Sequence, residues 1–182
     1  AMKVVILAAG KGSRLGDTHL PKPLTRLVNG KSILQTQLDV LKQYVSLDQI
    51  VVVVGYHKEE IIDRFPDLMF VFSPHFSQEN TSKSLLRALN KIDDDVLWLN
   101  GDVVMHPSVI ASVLNDPKTS MVVNVGSVGE EEVKYRLDDE QRIVEVSKQV
   151  VEADGEALGL NFWKKEDLEA LRTNLQQCLD PD

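Results

Sequence analysis

Two glycines, a serine and two cations lie close together near the start of the chain, in the stretch VVILAAGKGSRLGDTHLPKPL. Gly10 and Gly12 allow the backbone to approach a ligand closely and to direct N–H groups at it. Ser13 adds a hydroxyl, and Arg14 and Lys22 add positive charge. These groups are suited to binding several phosphate oxygens at once. The segment therefore predicts a polyphosphate site.

Lys22 lies between Pro21 and Pro23. Proline fixes its own backbone and disfavours helical conformations in the residue before it, so we expect a stiff extended segment. A lysine held in this way can meet developing negative charge without reorganising. A solvated surface lysine is the ordinary alternative for an isolated Pro-Lys-Pro. The neighbouring glycines and Arg14 favour the binding interpretation.

Two standard phosphate-binding fingerprints are absent from this stretch. A dinucleotide-binding loop needs G-x-G-x-x-G running directly into a helix, whereas Gly10, Gly12 and Gly16 give G-x-G-x-x-x-G followed by two prolines. A P-loop needs G-x-x-x-x-G-K-[ST], which the sequence does not contain. A dinucleotide-dependent oxidoreductase is therefore the weakest of the functional alternatives.

A carboxylate follows another apolar run, in the stretch LWLNGDVVMHP. Asp102 comes directly after Gly101 at the end of this predicted strand. Mg²⁺ in nucleotide sites is bound by one or two carboxylates together with substrate phosphates, so Asp102 is the candidate magnesium ligand. The alternative is a helix cap, but Pro107 marks the next helix start and makes His106 the better cap.

Short β-branched runs alternate with helical patterns over the first two thirds of the chain. Predicted strands cover residues 3–8, 49–55, 68–72, 95–100 and 120–125, and predicted helices cover residues 32–44, 58–64, 81–91 and 107–114. Continuous apolar strands separated by helices indicate a mostly parallel sheet that is covered on both faces. The predicted fold is α/β and doubly wound, and the opening loop lies where such sheets bind ligands.

The pattern changes after residue 125. Residues 130–150 read as two alternating strands joined by a turn at residues 138–140, and EALGLNFWK and a helix at residues 165–177 follow. A small antiparallel flap on the sheet edge is the simplest interpretation. No linker or repeat interrupts the chain, so residues 1–182 are predicted to form a single domain. Trp98 and Trp163 lie in apolar strands and are predicted core residues.

Composition narrows the functional classes. The chain has 182 residues, 43% of them hydrophobic, and a formal net charge of −8. This charge argues against a nucleic-acid or anionic-membrane partner. A lone Cys178 cannot form an internal disulfide, and no apolar run reaches the roughly 18 residues of a membrane span. With no signal peptide visible, a cytoplasmic location is expected.

The stretch LAAGKGSRLG…PKPL is similar to the signature L-A-A-G-x-G-[ST]-R-[LM]…P-K-P-[LM] of the nucleotide-sugar pyrophosphorylase-like nucleotidyltransferases. The resemblance continues through VVVVGYHKEEI, NTSKSLLRAL and LWLNGD. It implies a nucleotide-diphospho-sugar transferase fold and magnesium-dependent transfer of a nucleoside monophosphate to a phosphorylated acceptor. The L-A-G-G of the molybdopterin guanylyltransferases matches less well.

The same resemblance assigns roles to individual residues. It implies that Arg14, Lys22 and Asp102 are catalytic, with Asp102 binding the metal. The residues that it implies for nucleotide binding are Leu7, Ala8, Ala9, Gly10, Gly12, Ser13, Arg14, Lys22, Asn80, Ser84 and Gly101.

Four residues that the resemblance assigns to nucleotide or acceptor binding also have ordinary structural explanations. Asn80 could be a helix cap and Ser84 an exposed helix residue. Lys148 and Glu156 match acceptor-binding positions, but they could equally be surface charges.

Among these enzymes, the chain is most similar to the small cytidylyltransferase branch. That likeness favours CTP, with phosphocholine, 2-aminoethylphosphonate or a sugar 1-phosphate as acceptor. Relatives usually carry a second metal-binding acid near the C-terminus, often in an E-[IV]-D segment, whereas this sequence stops at QQCLDPD. We therefore expect a domain that lacks its C-terminal segment. An inactive nucleotide-binding module, a homo-oligomer and a fusion to another enzyme domain stay open as alternatives.

Overall fold

The structure is a computed structural model, and it describes only part of the chain. The described residues are 2–9, 20–74, 81–101, 120–124, 134–137, 143–147 and 155–179. The predicted helix at residues 107–114 and the predicted turn at residues 138–140 lie outside them.

Four parallel strands form the first part of the sheet. They are β1 (Lys3–Ala8), β2 (Ile50–Val54), β3 (Met69–Phe72) and β4 (Val96–Asn100), in the spatial order β3-β2-β1-β4. All four are runs of mainly apolar residues, and those of β1 and β2 are rich in β-branched Val and Ile, which favour buried strands. β1 pairs with β2 on one side and with β4 on the other, so it lies inside the sheet.

Four more strands extend the sheet by antiparallel pairing. They are β5 (Ser120–Asn124), β6 (Lys134–Leu137), β7 (Ile143–Ser147) and β8 (Gly155–Trp163). β8 runs antiparallel to β4, β5 and β6, and the β6–β7 pair closes the edge. The predicted antiparallel flap is confirmed, and its last strand is a full member of the sheet beside β4.

The described helices are α1 (Ile33–Leu41), α2 (Lys58–Arg64), α3 (Thr81–Leu89) and α4 (Leu168–Leu179). Ser32 caps α1, since its side chain accepts a hydrogen bond from the backbone N–H of Gln35 at 3.0 Å. Lys22–Leu24, Leu47–Gln49 and Lys165–Asp167 form single 3₁₀ turns. Among the described residues, no helix is long and apolar enough to cross a bilayer.

Two apolar clusters cover the two faces of the sheet. On one face, Val4 and Ile6 of β1 pack with Leu34 of α1 and Ile61 of α2. On the other face, buried residues of β1 and β4 pack with residues of α3 and α4; they include Val5, Leu7, Trp98, Leu85, Leu89, Leu168 and Leu171. Alternate residues of β1 thus point into different clusters, as the pleat requires. The predicted α/β, doubly wound fold is confirmed.

Arg172 joins the two helices on the second face. Its guanidinium donates to the carbonyl oxygen of Leu89 at 2.9 and 3.1 Å, and also to the carbonyl oxygen of Ile92. The last carbonyls of a helix lack partners within the helix, so a cation at this position satisfies them and complements the helix dipole. Trp98 and Trp163 are 1% and 8% exposed, which confirms them as core residues.

Candidate functional site

The candidate site lies at the carboxyl ends of β1 and β4. The chain runs from β1 to β2 in one direction along the sheet, and β4 lies on the opposite side of β1. Strand order therefore reverses between β1 and β4, and open α/β sheets bind ligands outside such a reversal. Leu7 and Ala8 end β1, Ala9 follows it directly, and Gly101 follows β4.

Backbone hydrogen bonds hold this edge together. The N–H of Gly101 donates to the carbonyl oxygen of Leu7, with an N···O distance of 2.7 Å. The N–H of Tyr56, which follows β2, donates to the carbonyl oxygen of Ala9 at 3.0 Å. These two bonds link the carboxyl ends of β1, β2 and β4 to each other.

Only glycine fits at position 101. A Cβ at this position would lie 2.9 Å from the carbonyl oxygen of Leu7, 2.9 Å from Cγ of Pro23 and 3.3 Å from Cβ of Ala8. Two of these distances are shorter than real Cβ contacts. Described residues of three segments that the sequence singles out therefore meet at one point: Leu7 and Ala8, Pro23, and Gly101.

The prediction that Lys22 lies on an extended segment is wrong. Pro21 is extended, with φ −57° and ψ 145°, but Lys22–Leu24 forms a 3₁₀ turn. The N–H of Leu24 donates to the carbonyl oxygen of Pro21 at 2.9 Å, and that of Thr25 donates to the carbonyl oxygen of Lys22 at 3.0 Å. These bonds offset the steric cost of a helical conformation at Lys22, the residue before Pro23.

Buried prolines on both sides of Lys22 and a hydrogen bond to α1 hold this turn in place. Pro21 and Pro23 are buried, whereas Lys22 is half-buried. The N–H of Ile33, the first residue of α1, donates to the carbonyl oxygen of Thr25 at 3.0 Å. The backbone that carries Lys22 is thus packed into the protein and tied to a helix, and the stiffness expected from the sequence has a different structural basis.

The structure brings together five of the predicted site residues at this edge: Leu7, Ala8, Ala9, Lys22 and Gly101. Ser84 lies on α3, and Glu156 lies on β8, where it pairs with Asn124 and Lys134. The others lie outside the described residues, so their roles stay predictions; they are Gly10, Gly12, Ser13, Arg14, Asn80, Asp102 and Lys148.

The described part of the chain contains no group of three or more acidic, histidine or cysteine side chains that could bind a metal ion. A magnesium site is compatible with the described edge in one respect. Gly101 directly precedes Asp102, and the close packing around Gly101 places the start of that segment beside the Lys22 turn. Mg²⁺ in nucleotide sites is bound by carboxylates together with substrate phosphates, so a carboxylate at position 102 fits such a site.

Two buried amides at the sheet were not predicted from the sequence. Gln37 of α1 is 5% exposed, and its Nε2 donates to the carbonyl oxygen of Asn100 at 2.9 Å. Asn161 of β8 is fully buried opposite Trp98, and neither of its amide atoms has a hydrogen-bond partner among the residues that the structure describes. For Gln37 the available signal was a polar residue at a helical position between Leu34 and Leu41, and for Asn161 it was a polar residue inside the apolar run GLNFW.

Comparison with known proteins places this geometry in a family. Residues 4–177 match the family described as MobA-like NTP transferase domain. The bifunctional protein GlmU of Methanococcus maripaludis strain C7 is 37% identical over 113 residues, which cover 59% of this chain and 26% of GlmU. The CMP-5′-(3-aminopropyl)phosphonate synthase of Streptomyces rubellomurinus is 36% identical over 129 residues, which cover 66% of this chain and 20% of that protein. The matches thus span about a quarter or less of these two relatives.

A solved structure with the same fold is the CTP:phosphocholine cytidylyltransferase LicC of Streptococcus pneumoniae. It superposes with a TM-score of 0.64 at 22% identity, covering 98% of this chain and 77% of that one. The nucleotide-diphospho-sugar transferase fold implied by the sequence resemblance is therefore confirmed. Because the family match takes in nearly the whole chain, the protein belongs to the MobA-like NTP transferase domain family of nucleotidyltransferases.

Proposed function

We propose that this protein is a magnesium-dependent cytidylyltransferase, which transfers CMP from CTP to a small phosphate or phosphonate acceptor and releases pyrophosphate. The acceptors that we favour are phosphocholine and 2-aminoethylphosphonate. The observation that carries the proposal is the meeting of the three motif segments at the carboxyl edge of β1 and β4, around Gly101. This edge is where α/β folds bind nucleotides.

The reaction is an in-line displacement at phosphorus. An oxygen of the acceptor attacks the α-phosphorus of CTP, the bond to the bridging oxygen breaks, and pyrophosphate leaves. No covalent intermediate with the protein is required, so catalysis depends on alignment and on the stabilisation of charge.

Lys22 is the residue whose placement supports this chemistry best. Its backbone belongs to a hydrogen-bonded turn between two buried prolines. A cation fixed in this way stabilises charge that develops on the α-phosphoryl group without reorganising first.

Further residues complete the proposed machinery; Glu156 lies on β8, and Arg14, Lys148 and Asp102 lie outside the described residues. Arg14 would neutralise the leaving pyrophosphate, and Lys148 and Glu156 would orient the acceptor. Asp102 would hold Mg²⁺, which would supply positive charge to neutralise the phosphates. These assignments come from the motif resemblance and from the position of Asp102 directly after Gly101.

The choice of cytidine and of the acceptor class is supported by two similar proteins. The Streptomyces relative is by name a CMP-aminopropylphosphonate synthase, and LicC is by name a CTP:phosphocholine cytidylyltransferase. A sugar-1-phosphate nucleotidyltransferase is the second candidate, because that branch shares the ending Pro-Lys-Pro-Leu of the first motif.

A screen of pyrophosphate release tests the proposal. CTP, UTP, ATP and GTP are each combined with phosphocholine, 2-aminoethylphosphonate or glucose 1-phosphate in the presence of Mg²⁺. The screen uses this chain and the longest native reading frame that contains it. We expect acceptor-dependent release with CTP and one of the first two acceptors. Release with glucose 1-phosphate alone would favour the second candidate, and nucleotide binding without release from either form would favour an inactive nucleotide-binding module.

A further inference from the structure

Gln37 is a polar residue on the buried side of α1. Its neighbours on that side are Leu34, Leu38 and Leu41, each of which is at most 1% exposed. Burying an amide among such residues is unfavourable unless the amide forms hydrogen bonds. The Nε2 of Gln37 donates to the carbonyl oxygen of Asn100 at 2.9 Å. A bond between groups so far apart in sequence fixes α1 against the end of β4.

The carbonyl oxygen of Asn100 lies where the sheet stops supplying partners. The ladder between β4 and β8 ends at the pair Leu99 and Leu160. Beyond this pair β8 has an irregularity, because Val122 of β5 pairs with Leu160 whereas Val123 pairs with Ala157. Successive residues of a strand direct their backbone groups to opposite sides. The N–H of Gly101 bonds to Leu7 of β1. The carbonyl of Asn100 therefore points to the other side, toward β8, which no longer pairs with β4 at this position.

The bond from Gln37 therefore replaces a missing bond of the sheet. The carbonyl of Asn100 and the N–H of Gly101 belong to one planar peptide unit. Its oxygen accepts from Gln37, and its N–H donates to the carbonyl oxygen of Leu7 at 2.7 Å. One rigid plane is thus held from both sides, by α1 and by β1, and it is the peptide unit one residue before Asp102.

We propose that Gln37 is a positioning residue of the nucleotidyl transfer, acting through the peptide between Asn100 and Gly101. This inference rests on the function proposed above, in which Asp102 is the metal ligand. The orientation of the preceding peptide determines the direction in which the backbone continues to Asp102. Gly101 has no side chain that could fix this direction. The two hydrogen bonds therefore set the orientation of the peptide, and a small rotation here would displace the groups that follow.

The test compares Gln37→Met with Gln35→Met. Methionine keeps the length and volume of Gln37 and removes the donor. Gln35 lies on the same helix, and its side-chain amide bonds to Asp39 at 2.9 Å. Residues that orient metal ligands typically affect activity by about 10- to 100-fold. We expect kcat to fall at least about tenfold in Gln37→Met, with the KM for CTP changed less than about threefold, and to stay near the wild-type value in Gln35→Met.

A second measurement does not depend on activity. The exchange rate of the Gly101 amide hydrogen, followed by NMR, is expected to rise in Gln37→Met relative to the wild type and to Gln35→Met, while amides of β2 stay unchanged. A folding defect alone would speed exchange throughout the sheet. Faster exchange at Gly101 alone, together with the loss in kcat, supports the proposal.

Two results would overturn it. In an active wild type, a kcat for Gln37→Met within about twofold of the wild-type value would show that the bond does not position the reaction. An unchanged Gly101 exchange rate would show that Gln37 does not restrain the peptide. If the wild type releases no pyrophosphate with any substrate pair, the proposed function fails separately, and the exchange rate alone decides whether Gln37 holds this peptide.

Discussion

Pro23 and Gly101 pack directly against each other, since Cγ of Pro23 lies 2.9 Å from the point that a Cβ on residue 101 would occupy. The first residue belongs to the segment that carries Lys22, and the second directly precedes Asp102. The contact therefore determines how close the candidate phosphate-binding lysine and the candidate metal-binding segment come to each other. A side chain of any size at position 101 would separate them.

We expect Gly101→Ala to lose about 1–3 kcal/mol of unfolding free energy, as is typical of overpacking in a well-packed region. The added carbon would meet the carbonyl oxygen of Leu7 and Cγ of Pro23 at 2.9 Å each. Denaturation in urea measures the loss. Pyrophosphate release is expected to fall as well, because the Lys22 turn must move.

A double-mutant cycle with Pro23→Ala provides the control for Gly101→Ala. Removing Cγ of Pro23 relieves one of the two shortest contacts, so the cost of Gly101→Ala is expected to be smaller in that background. If the two losses are simply additive, the contact between the two residues does not cause the destabilisation.

Lys22→Ala is expected to lower turnover by roughly 100-fold or more without unfolding the protein, a loss typical of removing a preorganised charge. Lys31→Ala is the matched control, because Lys31 is 55% exposed and pairs with Asp39 at 2.8 Å. Steady-state rates of both variants, with circular dichroism as a check on folding, measure the difference. Near-normal turnover in Lys22→Ala would contradict the role of this lysine.

The sequence predicts local structure well where one pattern decides it. β1 and α2 have the predicted bounds, Lys3–Ala8 and Lys58–Arg64, because an apolar run and a helical run are each ended by turn residues. The sequence also identifies Gly101 as a candidate site residue, because it precedes Asp102 at the end of a predicted strand. The glycine requirement comes from packing against Pro23, which no local pattern contains.

Long-range relationships were not predictable in the same way. An apolar strand such as β8 gives no indication of its neighbours or of its direction, so its place between β4 and β6 was not foreseen. Gln37 was missed because its partner lies at the end of β4, far away in sequence. The turn at Lys22 differs from the prediction because two backbone hydrogen bonds outweigh the preference of the residue before proline.

Arg172→Met is expected to destabilise the fold by about 1–3 kcal/mol, since it leaves the partly buried carbonyls of Leu89 and Ile92 without this donor. Arg64→Met is the control, because Arg64 is exposed and its bonds to described residues lie within α2, to Glu60. Its expected cost is below about 0.5 kcal/mol. Thermal unfolding of both variants measures the difference, and equal losses would show that the link between α3 and α4 is not stabilising.

Hydrogen bonds from Lys31 and from Gln35 lower the pKa of Asp39 from its ordinary value of 3.8. A lowered folded-state pKa stabilises the fold above the unfolded pKa, and this contribution is lost as pH falls through the folded pKa. The carboxylate is 37% exposed, so solvent screening limits the contribution to about 0.5 kcal/mol.

Urea unfolding of the wild type and of Asp39→Asn at neutral pH and at acidic pH measures this contribution. We expect the wild type to be slightly more stable at neutral pH, and the difference to shrink once the pH falls below the ordinary carboxyl pKa. A difference that does not change with pH would show that ionisation of Asp39 is not its source.

The position of β1 inside the sheet also affects how the protein folds. β1 pairs with β2, and its other edge pairs with β4, so that Lys3 lies opposite Val96. Closing this second ladder encloses about half of the chain, and the entropy cost of closure rises with loop length. The first ladder can therefore form while β4 is still distant, or not yet synthesised on the ribosome. The candidate site needs both ladders, so we expect it to be complete only after the second ladder has closed.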